Sequence, residues 1–320
     1  MTIELHKEKS TGSVRTVTIG ATKDQGGTRA RTLTIGGEAA LPFLAFEGAF
    51  PNRPALALEI RDRKPDDWSP LLYQAWGEAM QDPADWARAA EAAGADLIYL
   101  VLSPTQAGGS QNVAAASRAV VRKVLQATGL PLAVVGPGQA DLDNELIVAV
   151  AEEAKGERLL IGICEDKNYR TIVAAALAND HLVQSKTPMD VNLSKQLVIL
   201  IHDMGLPLER IVMDPTTGAL GYGIEYGYSV MERLRLAALQ GDSMTQQPML
   251  VNPGEEGWKV KESKVGEGVP AAWGDWSRRA LNWEALTAAT LLHSGADLLV
   301  LRHPETLRRL RLVIDDLVAA

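Results

Sequence analysis

The sequence predicts an α/β protein: a (β/α)8 barrel of the TIM type, preceded by an N-terminal β-hairpin extension. Two observations predict the barrel. Eight apolar runs have the length and composition of buried strands, and segments of helical periodicity separate them. The runs cover residues 54–60, 95–102, 130–136, 158–164, 181–187, 210–214, 247–252 and 296–302. Such alternation indicates a parallel sheet covered on its outer face, and eight units favour a closed barrel over the main alternative, a doubly wound open sheet.

The intervening segments carry the marks of helices. Apolar stripes recur at helical spacing, as in Val113, Ala116, Val120 and Val124, and again in Leu193, Leu197, Ile201 and Met204. Before most of the strand runs stands a residue suited to a left-handed helix C-cap. The predicted caps are Gly94, Gly129, Gly156, Asn179, Gly205, Gly241 and Gly295.

The first fifty residues break this alternation. "VRTVTIG" and "ARTLTIGG" flank the turn-rich "ATKDQGGTR", a pattern typical of a β-hairpin. We therefore predict two parts, a hairpin extension over residues 1–50 and a barrel over residues 51–320.

Composition and charge exclude several classes of function. The chain has 320 residues and a net charge of −8, so it lacks the concentrated Lys and Arg that nucleic-acid binding needs. Its single cysteine, Cys164, excludes an internal disulfide and a four-cysteine iron–sulfur cluster of its own. The longest apolar runs are too short to span a bilayer and the N-terminus is too polar for a signal peptide. We expect a cytoplasmic protein with no membrane partner.

Ligands of such barrels meet the loops that follow the strands, so polar residues at the strand ends are the site candidates. By this geometry the candidates are Asp62, Thr187, Asn192, Asp214, Thr216, Asn252, Gly254 and Arg302. They predict a wide mouth that is rich in oxygen. Nucleophile, base and metal ligands are not clustered in it, so we predict neither a catalytic residue nor a metal site in this chain.

Several residues at the mouth have two interpretations. The loop in "MDPTTGALGYGIEYG" is rich in glycine, but its spacing fits neither a dinucleotide fingerprint nor a P-loop. It is a ligand-facing loop or an ordinary one. Lys186 could form a Schiff base, although a strand-end lysine more often neutralises carboxylates. Asn192 could contact a ligand, or it or Asp190 could cap a helix. Cys164 fits a small core residue better than a nucleophile.

The placement of the tryptophans is unusual. Three follow the first barrel strand and four follow the seventh: Trp68, Trp76 and Trp86, then Trp258, Trp273, Trp276 and Trp283. The second segment is much longer than an ordinary βα loop, and such loops are usually functional. Because the first and seventh strands flank the eighth in a closed barrel, both segments border one sector of the mouth. The indoles either contact a partner or ligand, or pin these loops to the barrel's own helices.

Beyond these local patterns, the chain resembles the small subunit of the corrinoid iron–sulfur protein over nearly its whole length. The resemblance rests on the hairpin extension and on "PNRPALALEIRD", "IGICEDKNY", "VQSKTPMDVNLSKQL" and "MDPTTGALGYGIEYGYSVMERLRLAALQGD". It implies a TIM barrel that pairs as a heterodimer with a larger subunit. That subunit bears a [4Fe–4S] cluster and a corrinoid-binding domain, and the corrinoid, a cobalt-containing cobalamin, lies at the interface.

The resemblance also implies a role in methyl transfer. A methyl group reaches cobalt from methyltetrahydrofolate through a separate methyltransferase and passes to acetyl-CoA synthase. This is the Wood–Ljungdahl pathway, in which carbon dioxide fixation yields acetyl-CoA. The eight site candidates would then face the corrinoid, and the 214–227 loop would form part of the surface that covers it.

Two observations limit the role of this chain alone. With one cysteine, the chain leaves the cluster to its partner, and "LIHDMG" has Leu200 where the cobalt-ligating histidine motif has Asp. We expect no catalysis by the isolated chain. Two alternatives stay open: an independent barrel enzyme, either a pterin-dependent methyltransferase or a lyase using Lys186, and a purely structural subunit.

Overall fold

The computed structural model describes residues 6–103 and 113–319, and within them the predicted barrel is confirmed. Two short strands, β1 (Val17–Ile19) and β2 (Leu33–Ile35), pair antiparallel. Eight parallel strands close into a barrel in the order β10-β3-β4-β5-β6-β7-β8-β9. These strands are β3 (Ala55–Arg61), β4 (Leu97–Val101), β5 (Leu132–Val135), β6 (Leu160–Cys164), β7 (Leu182–Lys186), β8 (Ile211–Asp214), β9 (Met249–Val251) and β10 (Ala296–Leu301).

Helices surround the barrel and lengthen two of its loops. They are α1 (Pro70–Trp76), α2 (Pro83–Ala92), α3 (Val113–Ala127), α4 (Ala140–Glu153), α5 (Tyr169–Asn179), α6 (Val191–Asp203), α7 (Ile224–Leu239), α8 (Pro253–Lys259), α9 (Lys261–Lys264), α10 (Trp276–His293) and α11 (Pro304–Ala319). The additional helices α1, α8 and α9 belong to the two tryptophan-bearing segments. None of the helices in the described ranges combines the length and apolar character needed to cross a membrane.

Each barrel strand is buried on both faces, which explains why the strands appear as continuous apolar runs. In β3, Leu56, Leu58 and Ile60 pack outward against the helices, whereas Ala55 and Ala57 point into the barrel. This alternation follows from the two-residue period of a strand. Two apolar layers result, one inside the barrel and one between the strands and the helices.

The hairpin extension closes the amino-terminal end of the barrel. Val17, Ile19 and Ile35 are fully buried and belong to the same apolar cluster as the inward-pointing barrel residues. Gly20 N donates to Arg158 O, just before β6, at 2.9 Å. The predicted extension is therefore confirmed as a strand pair, and the carboxyl end of the barrel is left for ligands and partners. The division at residue 50 stays a prediction, because both parts share one core.

Most predicted helix caps are correct and two are wrong. Gly94, Gly156, Gly205, Gly241 and Gly295 have positive φ, between +85° and +107°. Gly129 does not: a Cβ there would lie 2.6 Å from the Ala30 side chain, so close approach of the extension requires this glycine. Asn179 is the last helical residue of α5, and Asp180, with φ of +61°, takes the left-handed position after it.

A buried ionic cluster also ties the extension to the barrel. Arg235 of α7 donates to Glu38 at 3.1 Å and to Asp297 of β10 at 2.9 Å. All three side chains are almost wholly buried. Burial raises the pKa of Glu38 to about 8, and the charge of Asp297 adds to the increase. One guanidinium thus holds two carboxyl groups from distant parts of the chain.

Candidate functional site

The candidate residues surround the carboxyl end of the barrel but do not form one cluster. Seven of them follow five strands: Asp62 after β3, Thr187 after β7, Asp214 and Thr216 at β8, Asn252 and Gly254 after β9, and Arg302 after β10. The eighth, Asn192, lies in the first turn of α6. In the closed strand order, β3 lies across the mouth from β7 and β8.

Thr187, Asp214 and Thr216 come together through hydrogen bonds. The Thr216 hydroxyl donates to Thr187 O at 2.5 Å, and Thr216 N donates to Asp214 Oδ1 at 3.0 Å. Below them, Tyr99 Oη donates to Gln184 Oε1 at 3.0 Å, and Gln184 Nε2 donates to Asp214 Oδ2 at 2.8 Å. Burial raises the pKa of Asp214 although Lys186 opposes the increase. Both oxygens of this carboxyl group are occupied by partners within the chain.

Lys186 lies beside Asp214, since the two residues are partners in the β7–β8 register. The charge of Asp214 is the main cause that raises the pKa of Lys186, and Glu255 and Glu165 add to it against the effect of burial. Among the described residues its ammonium forms no hydrogen bond or ion pair. Lys186 is therefore a protonated donor available at the mouth. A Schiff-base lysine needs a lowered pKa instead.

We expect Lys186 to form no covalent adduct. Incubation with carbonyl compounds such as pyruvate, followed by borohydride reduction and peptide mass spectrometry, should label it no more than the exposed Lys23 of the extension. Protonation of the Lys186 amine suppresses its attack on the carbonyl carbon. Selective labelling of Lys186 above the Lys23 level would contradict this expectation and support a lyase.

Arg302 and Gly254 meet beneath the mouth. Arg302 donates to Glu59 through Nε at 2.8 Å and Nη2 at 3.0 Å, and its guanidinium lies 4.8 Å from the Trp68 ring centre. A Cβ at Gly254 would lie 2.7 Å from Arg302 N, so glycine is required where α8 approaches β10. The Arg302 charge is thus neutralised inside the protein.

The remaining candidates are separate. Asp62 accepts from Ser103 N at 3.2 Å and from the Ser103 hydroxyl, across the mouth from β8. Asn252 caps α8 by accepting from Glu255 N at 2.9 Å. Asp190, not Asn192, caps α6 through Leu193 N at 2.9 Å. Asn192 is exposed beside the mouth and stays a candidate for ligand contact.

An exposed apolar rim lies at the mouth; the sequence analysis named the loop that bears its tyrosines but not the rim itself. It consists of Met189, Leu193, Tyr222 and Tyr226, and the two tyrosines are 71% and 67% exposed. Leu193, predicted in a buried stripe, is 44% exposed because the first turn of α6 begins at the mouth, beyond the end of β7. The available signal was the position of these apolar residues in the segments that follow β7 and β8.

The glycines of the 214–227 loop shape this rim. Gly223 has φ of +94°, and a Cβ there would lie 2.7 Å from the Tyr226 ring. A Cβ at Gly227 would lie 3.6 Å from Met189 Sδ, so the loop after β7 is in contact with the first turn of α7. These glycines allow aromatic rings to lie against the backbone.

Most of the tryptophans hold their own loops against the barrel, and contact of the others with a partner or ligand stays a prediction. Trp68, Trp76 and Trp86 are buried in a cluster of edge-to-face rings, and Trp258 stacks on His303. These four pin their loops to the barrel, and Trp276 Nε1 bonds Ser263 O at 2.8 Å. Trp273 and Trp283 line an open groove together with Leu220.

The cysteine and two of the histidines lie in surroundings that suit a structural role. Cys164 is buried, and burial raises the pKa of its thiol well above the usual range. His202 and His293 lie in the last turns of α6 and α10. Within residues 6–103 and 113–319, no group of three or more His, Cys, Asp or Glu side chains is arranged to hold a metal ion.

Solved structures with a similar fold include dihydropteroate synthases. The enzyme of Xanthomonas albilineans in complex with 7,8-dihydropteroate superposes with a TM-score of 0.56 at 15% identity, covering 88% of this chain and 100% of that one. The Thermus thermophilus enzyme with 4-aminobenzoate gives a TM-score of 0.55 at 15% identity, covering 87% and 99%. At this identity the likeness shows the barrel fold alone.

Sequence comparison is more specific. Residues 16–313 match the family model described as CO dehydrogenase/acetyl-CoA synthase delta subunit. The acetyl-CoA decarbonylase/synthase complex subunit delta of Archaeoglobus fulgidus is 36% identical, covering 98% of this chain and 70% of that protein. Its counterpart in Methanopyrus kandleri is 38% identical, covering 92% and 72%. The chain therefore belongs to the CO dehydrogenase/acetyl-CoA synthase delta subunit family.

Proposed function

We propose that this protein is the small subunit of a heterodimeric corrinoid methyl carrier and that its barrel mouth covers a cobalamin held jointly with the large subunit. The observation that carries the proposal is the exposed rim of Met189, Leu193, Tyr222 and Tyr226 beside a polar mouth. Membership of the delta subunit family supports a place in an acetyl-CoA decarbonylase/synthase complex.

The side chains of the mouth fit one face of such a cofactor. A corrin ring is broad and flat, with amide groups at its edge, so it needs an apolar surface bordered by hydrogen-bonding groups. The rim supplies the apolar surface. Lys186 supplies a free donor, and the exposed amide of Asn192 supplies both a donor and an acceptor.

Within this arrangement the chain binds and orients the corrinoid but takes no part in the chemical step. Asp214 and Thr216 are held by partners within the chain, so they fix the shape of the mouth. The Arg302 charge is satisfied by Glu59, so it does not compete for the ligand. When bound, the corrinoid supplies the cobalt that carries the methyl group, and the protein contributes orientation and electrostatics.

The proposed partners are those that the resemblance to the corrinoid iron–sulfur protein implies. The large subunit would bear the [4Fe–4S] cluster and the corrinoid-binding domain. A methyltransferase would deliver the methyl group from methyltetrahydrofolate, and acetyl-CoA synthase would receive it. The chain would act in the acetyl-CoA pathway as a non-catalytic subunit.

The test compares corrinoid retention by the isolated chain and by the reconstituted heterodimer. After gel filtration in the presence of cobalamin, absorbance should show retention only when the large subunit is present. The double variant Tyr222→Ala/Tyr226→Ala should weaken retention by the heterodimer at least about tenfold, equivalent to about 1.4 kcal/mol. Leu312→Ala, an exposed residue of α11 outside the rim, is the matched control and should retain cobalamin like the wild type.

The alternatives give different results. Stoichiometric retention or methyl transfer by the isolated chain would refute shared binding and support an independent barrel enzyme. Unchanged retention by the double variant in an intact heterodimer would support a purely structural subunit.

A further inference from the structure

A groove of about 440 Å³ opens between the loop after β8 and helix α10. Leu220 forms one side, and Trp273, Trp283 and Leu286 form the other. Leu286 is 57% exposed although its neighbours in α10 pack against the barrel. This is an unusually apolar surface for a chain whose other tryptophans are mostly buried.

The walls of the groove are fixed within the chain. Arg279 stacks on Trp273 and donates to the carbonyl oxygens of Glu262, Val265 and Gly274 at 2.7–2.9 Å. On the opposite side, Gly221 has φ of +80°, and a Cβ there would lie 3.2 Å from the Trp283 ring. The groove is therefore formed before any partner arrives.

The groove continues the apolar rim of the mouth. Gly221, against Trp283, directly precedes Tyr222 of the rim. The same loop leads through Tyr226 to Gly227, which faces Met189. One apolar band thus extends from the end of β7 to α10, and a protein that covers the mouth would also reach the groove.

The charge of the groove indicates what kind of segment fits it. The Arg278 guanidinium is exposed and forms no hydrogen bond or ion pair with the described residues, whereas every guanidinium nitrogen of Arg279 is used. The nearby Asp275 is already engaged, accepting from Arg278 N at 2.8 Å and from the Ser277 hydroxyl at 2.6 Å. Both donors to Asp275 are neutral, so its charge remains, but the groove is lined by two cations, Arg278 and Arg279, and this one anion. Its net charge is therefore positive, although the chain as a whole carries −8.

We propose that the groove receives an apolar segment of the large subunit that carries an acidic side chain opposite Arg278. Trp283 and Leu286 would be the anchors, because aromatic and apolar side chains in preformed pockets contribute most of the energy of many interfaces. Arg278 would select the register through an ion pair. The identity of the partner rests on the function proposed above; the location and chemistry of the contact rest on the groove.

The experiment measures the dissociation constant of the heterodimer by biolayer interferometry with the immobilised large subunit. Leu286→Asp should weaken binding at least about tenfold, because it places a charge in the apolar groove. Arg278→Glu should weaken it about threefold or more and reduce its dependence on salt, since exposed ion pairs are screened. Arg278→Lys, which keeps the charge, should recover most of the loss.

Matched controls lie elsewhere on the chain. Leu312→Asp repeats the apolar-to-acid change on α11, and Lys23→Glu repeats the charge reversal in the extension, at the opposite end of the barrel. Both should bind within about twofold of the wild type, a difference of about 0.4 kcal/mol. Circular dichroism should show that all variants fold. Arg278→Glu changes a residue in the first turn of α10, where a negative charge is compatible with the helix dipole.

The outcomes separate this inference from the proposed function. If the wild type binds the large subunit and both groove variants bind equally well, the groove inference is overturned while the proposed function stands. If the wild type does not bind the large subunit, the proposed function fails and this occupant of the groove fails with it. If the groove variants bind the large subunit more weakly and the control variants do not, the result supports both the groove inference and the proposed function.

Discussion

Replacing Glu59 with alanine is expected to destabilise the barrel by about 3–5 kcal/mol, because it leaves the buried Arg302 charge without its partner. Glu59 accepts both Nε and Nη2 of Arg302, and Arg61 also donates to it at 3.0 Å. The two carboxylate oxygens therefore neutralise a guanidinium that is cut off from water. Urea denaturation, followed by circular dichroism, measures the change in the free energy of unfolding.

Two further variants separate burial from charge. Glu59→Gln keeps the size of the side chain but loses its charge, so its effect should lie between those of the wild type and Glu59→Ala. Asp315→Ala breaks an exposed ion pair with Arg53 and should cost less than about 1 kcal/mol. If Glu59→Ala cost no more than Asp315→Ala, the pair would not be a structural element of the mouth.

The second large effect is expected at the other end of the barrel, for Arg235→Ala. Removal of this guanidinium leaves Glu38 and Asp297 facing each other in a buried site, and the expected loss is again about 3–5 kcal/mol. Because Glu38 belongs to the extension, we expect the extension to loosen first. Hydrogen exchange should then be faster at residues 14–38 than in the barrel strands. Equal exchange rates in the two regions would argue against loosening of the extension.

The same cluster predicts a pH dependence that Glu38→Gln should remove. The pKa of Glu38 is about 8 in the folded chain, above its ordinary value of 4.5, so the folded state binds the proton more tightly. Its contribution to stability is complete below pH 4.5 and is lost as the pH rises through 8, by up to about 1.4 kcal/mol per pH unit.

Glutamine resembles the protonated acid, so the two proteins should be similarly stable at low pH and the variant should be the more stable above pH 8. The nearby charged groups Arg235 and Asp297, and His293 beyond Phe43, are common to both proteins and cancel in the difference. Parallel stability curves from pH 5 to pH 9 would show that Glu38 does not take up a proton on folding.

The barrel could be predicted from sequence because its signals are local. Each strand is a short apolar run, and glycines such as Gly94 and Gly205 mark the helix ends through their own backbone angles. A predicted helix cap was wrong where a residue distant in the sequence determines the local backbone geometry. Gly129 is required by Ala30, about a hundred residues earlier in the sequence, and nothing around Gly129 indicates that contact.

The site was predictable in position but not in its connections. Strand ends identify Asp214 and Arg302, because parallel strands place their carboxyl ends at one mouth. Their partners are distant in sequence: Arg302 and Glu59 are 243 residues apart. The exposure of Tyr222 and Tyr226 was hidden for a different reason, since tyrosine occurs both in cores and at interfaces and only the fold decides which.

The hydrogen bonds that connect Tyr99, Gln184 and Asp214 affect how fast a ligand or partner can associate with the mouth and dissociate from it. Ordering a loose side chain on association costs about 0.5–1.5 kcal/mol. Here these three side chains are ordered beforehand, so no part of the association energy is spent on arranging them. Neither association nor dissociation of a partner then waits for these three side chains to rearrange. For a subunit whose proposed cargo must pass from one protein to another, this preformed floor of the mouth removes one rearrangement from each transfer.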